Sequence, residues 1–325
     1  MRVFLYIEEK LILNKPAGGS DVTLGNNYIV FIFDEIRYEL DSVEINRNRN
    51  VGITSTLKNY VMISSDRTVI MRNIGWDAQT NVTGYFNFCV PFYMLLGFCE
   101  DYKRIVINAR HELILIRSLN DNNCLIGNLA LEPVINIFKT QWRMPHVILN
   151  EINKLSMLRT LESGRYLSMG FRSWDLYEFL LLQRTTKHSW TIKTATQLEE
   201  PRYIIFALQT GRKNVISKDT SRFDDCKLNN VKLYLNSECY PKNRWSVLYD
   251  TYQRFCKNYY GYEYLESSFT VTQFLRNGPF SATMDVRLEF ECKENVPMNT
   301  TAYCLIIHDR VIQYNPLINV VREIT

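Results

Sequence analysis

The segment MDVRLEFEC, residues 284–292, alternates strictly between apolar and charged side chains. One parity carries Met284, Val286, Leu288, Phe290 and Cys292, and the other carries Asp285, Arg287, Glu289 and Glu291. Because successive side chains of a β-strand point to opposite faces, this pattern predicts a strand with one face on a core and the other towards water. The function of the charged row is the question that the segment raises.

Strand-like runs fill most of the chain. They cover 27–40, 43–49, 68–76, 104–118 and 133–149 in the first half, and 166–171, 188–194, 202–210, 230–237, 301–315 and 318–324 in the second. The stretch ELILI within 104–118 is apolar on both parities, so we expect it to be covered on both faces. Pro145 is expected to end the run 133–149, since proline cannot donate to a β-ladder.

Two segments change to a helical period. Residues 150–163 place leucine or isoleucine at every third position, with Asn150 as a suitable N-cap and Gly164 as a suitable stop. Residues 244–260 carry apolar side chains at helical spacing before Gly261. Both segments are predicted to be short amphipathic helices.

The order of these elements predicts an all-β fold. Strands and helices do not alternate regularly, which excludes a parallel doubly wound sheet. Many short strands favour antiparallel sandwiches, about one in each half. We therefore predict a lead-in over 1–26, a first sandwich over 27–150 and a second over 151–325, with the helix 150–163 at the joint.

Composition excludes several classes of protein. The net charge of +4 is too small for a dense nucleic-acid-binding face. No stretch approaches the roughly 20 apolar residues of a membrane span, and the N-terminus is too short and too charged for a signal peptide. The eight cysteines form no Cys-x-x-Cys pair and mostly lie in apolar runs. They are expected to be buried thiols in a reducing, intracellular compartment.

The sequence offers little chemistry. The four histidines, His111, His146, His188 and His308, show no metal-ligand spacing, and neither a nucleophile elbow nor a phosphate-binding loop is present. We therefore predict no catalytic residue, no metal and no cofactor. The paired carboxylates are Glu289/Glu291, Glu199/Glu200, Glu8/Glu9 and Asp224/Asp225. General acid–base work requires burial, so they are interpreted as solvated surface groups, and the basic run EINRNRN as a solvated loop.

Long blocks of the sequence resemble a known family. They are DEIRYELDSVEINRNRNVGITSTLKNY, GYFNFCVPFYMLLGFCEDYKRIVINARHELILIRS, WRMPHV, TTKHSWTIKTATQLEEPRYIIFALQTGRKN, SRFDDCKLNNVKLYLNSECYP, VLYDTYQRFCKNYYG and VRLEFECKENVPMNTTAYCLIIHDRVIQYNP. These blocks are similar to the double jelly-roll, major-capsid-like proteins of Polinton (Maverick) elements and their adintovirus relatives. The resemblance runs from about Tyr28 to the end.

The resemblance implies a structural protein. Its expected fold is a double jelly roll, two tandem antiparallel sandwiches with short helices. Its expected assembly is a homotrimer that forms a pseudo-hexagonal tile of an icosahedral shell in the virion. The implied partners are neighbouring capsomers, a penton-type single jelly-roll protein, a packaging ATPase and a maturation protease. No catalytic residue is implied, and a shell tile would explain the outward charged row of residues 285–291.

The beginning of the chain departs from this pattern. The lead-in MRVFLYIEEKLILNKPAGGS does not resemble the usual beginning of the family, so we expect an incomplete first jelly roll with an open sheet edge. This favours a second hypothesis, a host-domesticated, possibly truncated capsid-derived binding protein that no longer assembles. A third hypothesis, a jelly-roll lyase or metal-dependent oxygenase, requires histidines and carboxylates that converge in a pocket.

Overall fold

The computed structural model describes residues 3–14, 22–62, 71–76, 84–162, 164, 166–192, 201–235, 238–240, 273–276 and 286–324. The predicted helix 244–260 lies outside these residues, as do Glu199, Glu200, Met284 and Asp285.

The described strands of the first half are β1 (Phe4–Leu13), β2 (Thr23–Leu24), β3 (Phe33–Leu40), β4 (Val43–Arg49), β5 (Gly84–Pro91), β6 (His111–Arg117), β7 (Leu125–Ile126) and β8 (Pro133–Arg143). They form three antiparallel sheets with the strand orders β5-β1-β8, β4-β3-β6 and β2-β7. Its helices are α1 (Tyr28–Phe31), α2 (Val51–Met62) and α3 (Gly97–Asp101), with 3-10 turns at Arg72–Ile74, Phe92–Met94 and Leu129–Leu131.

The second half begins with α4 (Glu151–Glu162) and forms two larger sheets. Its strands are β9 (Leu167–Phe179), β10 (Lys187–Ile192), β11 (Pro201–Thr210), β12 (Leu228–Leu235), β13 (Glu238–Tyr240), β14 (Gln273–Arg276), β15 (Val286–Cys292), β16 (Thr300–Asn315) and β17 (Val320–Ile324). One sheet has the order β10-β15-β12-β13. In the other, β16 pairs with β11, β17 and β9, and β11 also pairs with β14.

The prediction of a helix at 150–163 is confirmed, with its caps. The side-chain Oδ1 of Asn150 accepts a hydrogen bond of 2.8 Å from the backbone N–H of Asn153. Gly164 has a φ of +69° and donates its N–H to the carbonyl of Leu161. This left-handed backbone is the conformation that favours glycine at a helix end. The strand 133–149 ends at Arg143, two residues before Pro145, as expected.

The lead-in prediction is wrong at residues 4–13. Strand β1 occupies the middle of its sheet, paired along its length with both β5 and β8. Leu5, Ile7 and Leu11 on its inner row are buried. The sequence pattern did not predict this strand, because Glu9 falls on its inner row and interrupts the alternation of apolar side chains. The open edge expected at this place is therefore filled.

Three further assignments in the first half are corrected. Residues 28–31 form α1 before β3 begins, whereas the whole run 27–40 was predicted as a strand. The described part of 68–76 is a 3-10 turn at Arg72–Ile74. Helix α2 was not predicted, because nearly all of its residues are buried whatever their polarity, so it shows no amphipathic period.

The sheet that contains β16 is apolar on both faces. Cys304 and Ile306 contribute to a core shared with the β10-β15-β12-β13 sheet. Tyr303, Leu305 and Ile307 contribute to the larger core of the first half. The described core thus continues from one half of the chain to the other through a single sheet. This explains why the run TAYCLII shows no apolar–polar alternation.

The expectation that ELILI is covered on both faces is wrong for the single chain. Leu113 and Leu115 of β6 pack against the first-half core, whereas Ile116 on the opposite row is 44% exposed. The outward row of β6 lies beside Glu35 and Arg37 of β3. The outer row of β6 therefore includes two apolar side chains, Ile114 and Ile116, that lie next to charged side chains of β3.

Candidate assembly surface

The charged row of β15 faces outwards, as interpreted from the sequence. The inward row, Val286, Leu288, Phe290 and Cys292, is buried. Arg287 Nε lies 3.5 Å from Glu289 Oε1, and Lys187 Nζ lies 3.6 Å from Glu291 Oε1. These carboxylates are partly exposed and paired with cations. They lack the burial that a general acid requires.

The other described carboxylate pairs are not catalytic pairs either. Glu8 is on the outer row of β1, 3.3 Å from Lys139 Nζ, and Glu9 is on the inner row. Asp224 accepts a hydrogen bond of 2.8 Å from the backbone N–H of Thr210 and pairs with Arg212 at 2.5 Å. These contacts fix loops and strand ends and leave no convergent acid and base.

Glu9 is the exception to the interpretation of carboxylates as solvated groups, because its side chain is fully buried. Its Oε1 accepts a hydrogen bond of 2.6 Å from the Tyr28 hydroxyl, and Oε2 has no hydrogen-bond partner among the described residues. Burial raises the pKa of Glu9 to about 7, against the opposing effect of the Tyr28 hydrogen bond. Glu9 is therefore a buried titrating group within the core.

The histidines occupy three different environments. His188 stacks on Phe290 at a centroid distance of 4.8 Å, and His308 Nε2 lies 3.1 Å from Asp175 Oδ2. His111 and His146, far apart in sequence, line the same cavity. No cluster of three His, Cys, Asp or Glu side chains suited to a metal ion occurs in the described part of the chain.

Two asparagines of β4 are buried, and Asn46 joins the two halves of the chain at the seam, by which we mean the contact of β4, α2 and α3 with β9. Asn46 Nδ2 donates to Ser173 Oγ at 2.9 Å, and its Oδ1 accepts from the backbone N–H of Phe98 at 3.2 Å. Asn48 Nδ2 donates to the carbonyl of Leu95 at 2.8 Å. The predicted strand 43–49 is confirmed, and the interpretation of its basic run as solvated holds for Arg47 and Arg49 but fails for Asn46 and Asn48. Both asparagines are on the inner row of a strand, opposite Tyr38 and Ile36 respectively.

A buried lysine lies at the same seam. Lys58 of α2 is fully buried, and its Nζ donates to the carbonyl of Tyr93 at 2.9 Å and to Glu100 Oε2 at 2.7 Å. The ammonium also lies 4.0 Å from the centre of the Trp174 ring on β9. Burial lowers the pKa of Lys58, and the Glu100 carboxylate counteracts that effect.

Helix α3 approaches β9 at the seam so closely that there is no room for a side chain at Gly97. A Cβ on Gly97 would lie 1.7 Å from the backbone carbonyl oxygen of Arg172. Next to this contact, the backbone N–H and the guanidinium of Arg172 both donate to the Asp101 carboxylate. Burial raises the pKa of Asp101, but the Arg172 hydrogen bonds outweigh it and hold the pKa below its ordinary value. The seam fixes the two halves as one body.

Helix α4 exposes the apolar stripe that its sequence predicts. Ile152, Leu155 and Leu158 are 78%, 54% and 38% exposed, and only Leu161 at the C-terminal end of the stripe is buried. Ile148, which precedes the helix, is almost fully exposed. We call residues 148–158 with these four side chains the α4 stripe. Apolar side chains in such a row on a surface mark an interaction site more often than scattered ones do.

The comparisons with known proteins identify the family. A profile of the double jelly roll-like domain matches residues 22–312. The chain belongs to this double jelly roll-like family. A search of the curated proteins finds no match to the sequence. None of the described helices of this double jelly roll-like chain has the length and apolar content that would be needed to cross a membrane.

Solved structures show the same fold at low sequence identity. VP54 of the virus PBCV-1, fitted into a reconstruction of the virophage Sputnik, superposes with a TM-score of 0.61 and 10% identity, covering 100% of this chain and 90% of that one. The Faustovirus major capsid protein superposes with a TM-score of 0.59 and 8% identity, covering 95% of this chain and 85% of that one. The mavirus major capsid protein superposes with a TM-score of 0.54 and 9% identity, covering 99% of this chain and 83% of that one. The predicted all-β double jelly-roll fold is confirmed.

Proposed function

We propose that this chain is the structural subunit of a virus-type capsid, that it associates as a homotrimer, and that the trimer forms a pseudo-hexagonal tile of an icosahedral shell. In this role the chain carries out no reaction and works in the virion. The proposal is supported by the family and by the capsid proteins that share the fold. The observation within the chain that carries it is the exposed α4 stripe.

The α4 stripe is unfavourable in an isolated chain. Burial of a leucine or isoleucine side chain is worth about 1.5–3 kcal/mol, so the four exposed side chains of the stripe leave a large burial free energy unrealised in the isolated chain. Ile116 on β6 adds a second exposed apolar site. Contacts with further copies would bury these side chains and supply the interface that a stable oligomer needs.

The α4 stripe allows a matched test of assembly. The double variant Ile152→Lys with Leu155→Lys places two charges on the stripe, and Ser156→Lys places one on an exposed polar position of the same helix. Light scattering behind size exclusion should give the wild type and Ser156→Lys a mass three times the 38.4 kDa of one chain. The double variant should remain folded and run as a monomer.

Negative-stain images of the trimer peak should show a pseudo-hexagonal outline. A wild-type protein that stays monomeric at high concentration would contradict the capsid proposal, and the folded chain would then act through other partners. A double variant that still forms the trimer would show that the α4 stripe lies outside the subunit contact.

We also propose that the chain derives from a Polinton-type element or an adintovirus relative, because long sequence blocks resemble those proteins. In that lineage its partners are a penton-type single jelly-roll protein, a packaging ATPase and a maturation protease. We keep the division into jelly rolls near residue 150 as part of this proposal, with β1 added to the first. Sequencing of the flanking DNA tests the lineage, since genes for these three partners should lie beside this one.

A further inference from the structure

A cavity of about 290 Å³ opens at one end of the first-half sandwich. Both three-stranded sheets form its walls, through Tyr38 on β3, His111 on β6 and Trp142 on β8. Helix α3 and the segment after it close one side, and residues 144–147 close the other. The volume is close to the lower limit of small-molecule sites, which span roughly 300–1,000 Å³.

The inner wall of the cavity is built from aromatic rings. Phe98 stacks on Tyr38 at a centroid distance of 5.0 Å and on Tyr102 at 5.2 Å. Trp142 meets Tyr38 edge to face at 6.3 Å. Rings that are held by one another present a preformed apolar surface. A ligand would therefore place its apolar body against them with little rearrangement of the protein.

The polar groups of the inner wall are uncharged. The Tyr38 hydroxyl lies 2.7 Å from His111 Nδ1, and burial, followed by the proximity of His146, lowers the pKa of His111. His111 is therefore neutral near pH 7. The indole Nε1 of Trp142 is buried and has no hydrogen-bond partner among the described residues. An apolar body fits this wall, and a charged group does not.

The mouth of the cavity is basic. Arg104 and His146 line it and are exposed, and no acidic side chain belongs to the described lining. Arg104 forms no ion pair with any described residue, in contrast to Arg110, which pairs with Glu112 at 2.6 Å. An unpaired cation at the entrance of an apolar cavity attracts an anionic group. The cavity thus combines an aromatic interior with a cationic entrance.

We propose that this cavity binds a small amphipathic anion, with its apolar chain or ring against Tyr38, Phe98 and Trp142 and its acidic head at Arg104 and His146. A free fatty acid and an acidic bilayer lipid share this chemistry. The site does not depend on capsid assembly, because all of its lining residues belong to one chain.

Calorimetric titration of the wild type with decanoate tests the site. Decanoate should bind saturably at one site per chain, and decanol, which has the same chain without the charge, should bind more weakly. Vesicles of phosphatidylglycerol distinguish the two sources of the ligand. Binding of decanoate without vesicle binding assigns a free acid, and binding of both assigns a bilayer lipid. No saturable binding of decanoate would overturn the proposal.

Variants locate the binding. Ala109→Trp and Val147→Trp each place a large ring in the cavity, the second at an exposed position of the mouth that tolerates substitution. Both should abolish decanoate binding. Arg104→Gln should weaken it roughly three- to fivefold, as expected for an exposed ion pair. Lys103→Gln, which removes an adjacent charge outside the lining, should leave it unchanged. Full affinity in both tryptophan variants would overturn the proposal.

Discussion

The buried carboxyl of Glu9 should make the stability of the fold depend on pH. Burial raises its pKa from 4.5 to about 7, while the Tyr28 hydrogen bond and Arg117 lower it and Asp121 raises it further. The folded state therefore binds this proton more tightly than the unfolded chain does. The resulting stabilisation is fully present below pH 4.5 and is lost as the pH rises through about 7.

The size of the effect follows from the two pKa values. At about 1.4 kcal/mol per pKa unit, the difference between 4.5 and about 7 corresponds to roughly 3 kcal/mol. The variant Glu9→Gln removes the titration and keeps an oxygen that accepts the Tyr28 hydrogen bond. Its new NH₂ group replaces Oε2, which has no partner among the described residues, so it lowers stability by a constant amount of about 1–3 kcal/mol. The slope against pH is thus the observable to compare.

Urea unfolding between about pH 5 and about pH 8, at one protein concentration, measures this slope. The wild type should lose much of the roughly 3 kcal/mol over this range, and Glu9→Gln should lose far less. Glu8→Gln is the matched control, because Glu8 is adjacent on β1 and faces outwards. It should keep the wild-type slope. If Glu9→Gln also keeps that slope, Glu9 does not titrate in the core and the argument is wrong.

Three other substitutions test the seam and the surface by urea unfolding. Gly97→Ala should cost about 3 kcal/mol, since its Cβ would lie 1.7 Å from the carbonyl oxygen of Arg172 and the backbone must move; wild-type stability would refute that close approach. Lys58→Met should cost about 3–5 kcal/mol by removing the cation that donates to the Glu100 carboxylate, and the added change Glu100→Leu should recover most of the loss. Glu291→Gln, on the exposed row of β15, should change stability by less than about 0.5 kcal/mol, and a larger loss would give this row a structural role.

Local pattern predicted the elements whose surroundings match their own sequence. Strand β15 has a core on one side and water on the other, so its alternation was sufficient. Helix α4 was predicted because it has strong end signals and one apolar stripe. The exposure of that stripe, by contrast, is a property of the whole chain and could not be inferred from the helix alone.

The sequence pattern predicted β4 in the seam, but it missed helix α2 and the burial of polar side chains on both elements. Lys58 of α2 carries a charge, which in the sequence indicates a solvent-facing side chain. Its burial is explained only by its contacts with Glu100 and Trp174 in the fold. Asn46 and Asn48 have the same character, with partners supplied from distant segments of the chain. The cavity was missed for a related reason. His111 and His146 are far apart in sequence, and only the packing of β6 against the end of β8 brings them together.

The shared sheet has a consequence for the way the protein is made. A ribosome synthesises β16 after every other described strand except β17, yet β16 completes the apolar layer between both cores. Until residues 300–315 emerge, β9 and β11 lack the partner that lies between them. A nascent chain therefore exposes the apolar faces of β9 and β11 until β16 is synthesised, and chaperone capture should be strongest just before β16 appears.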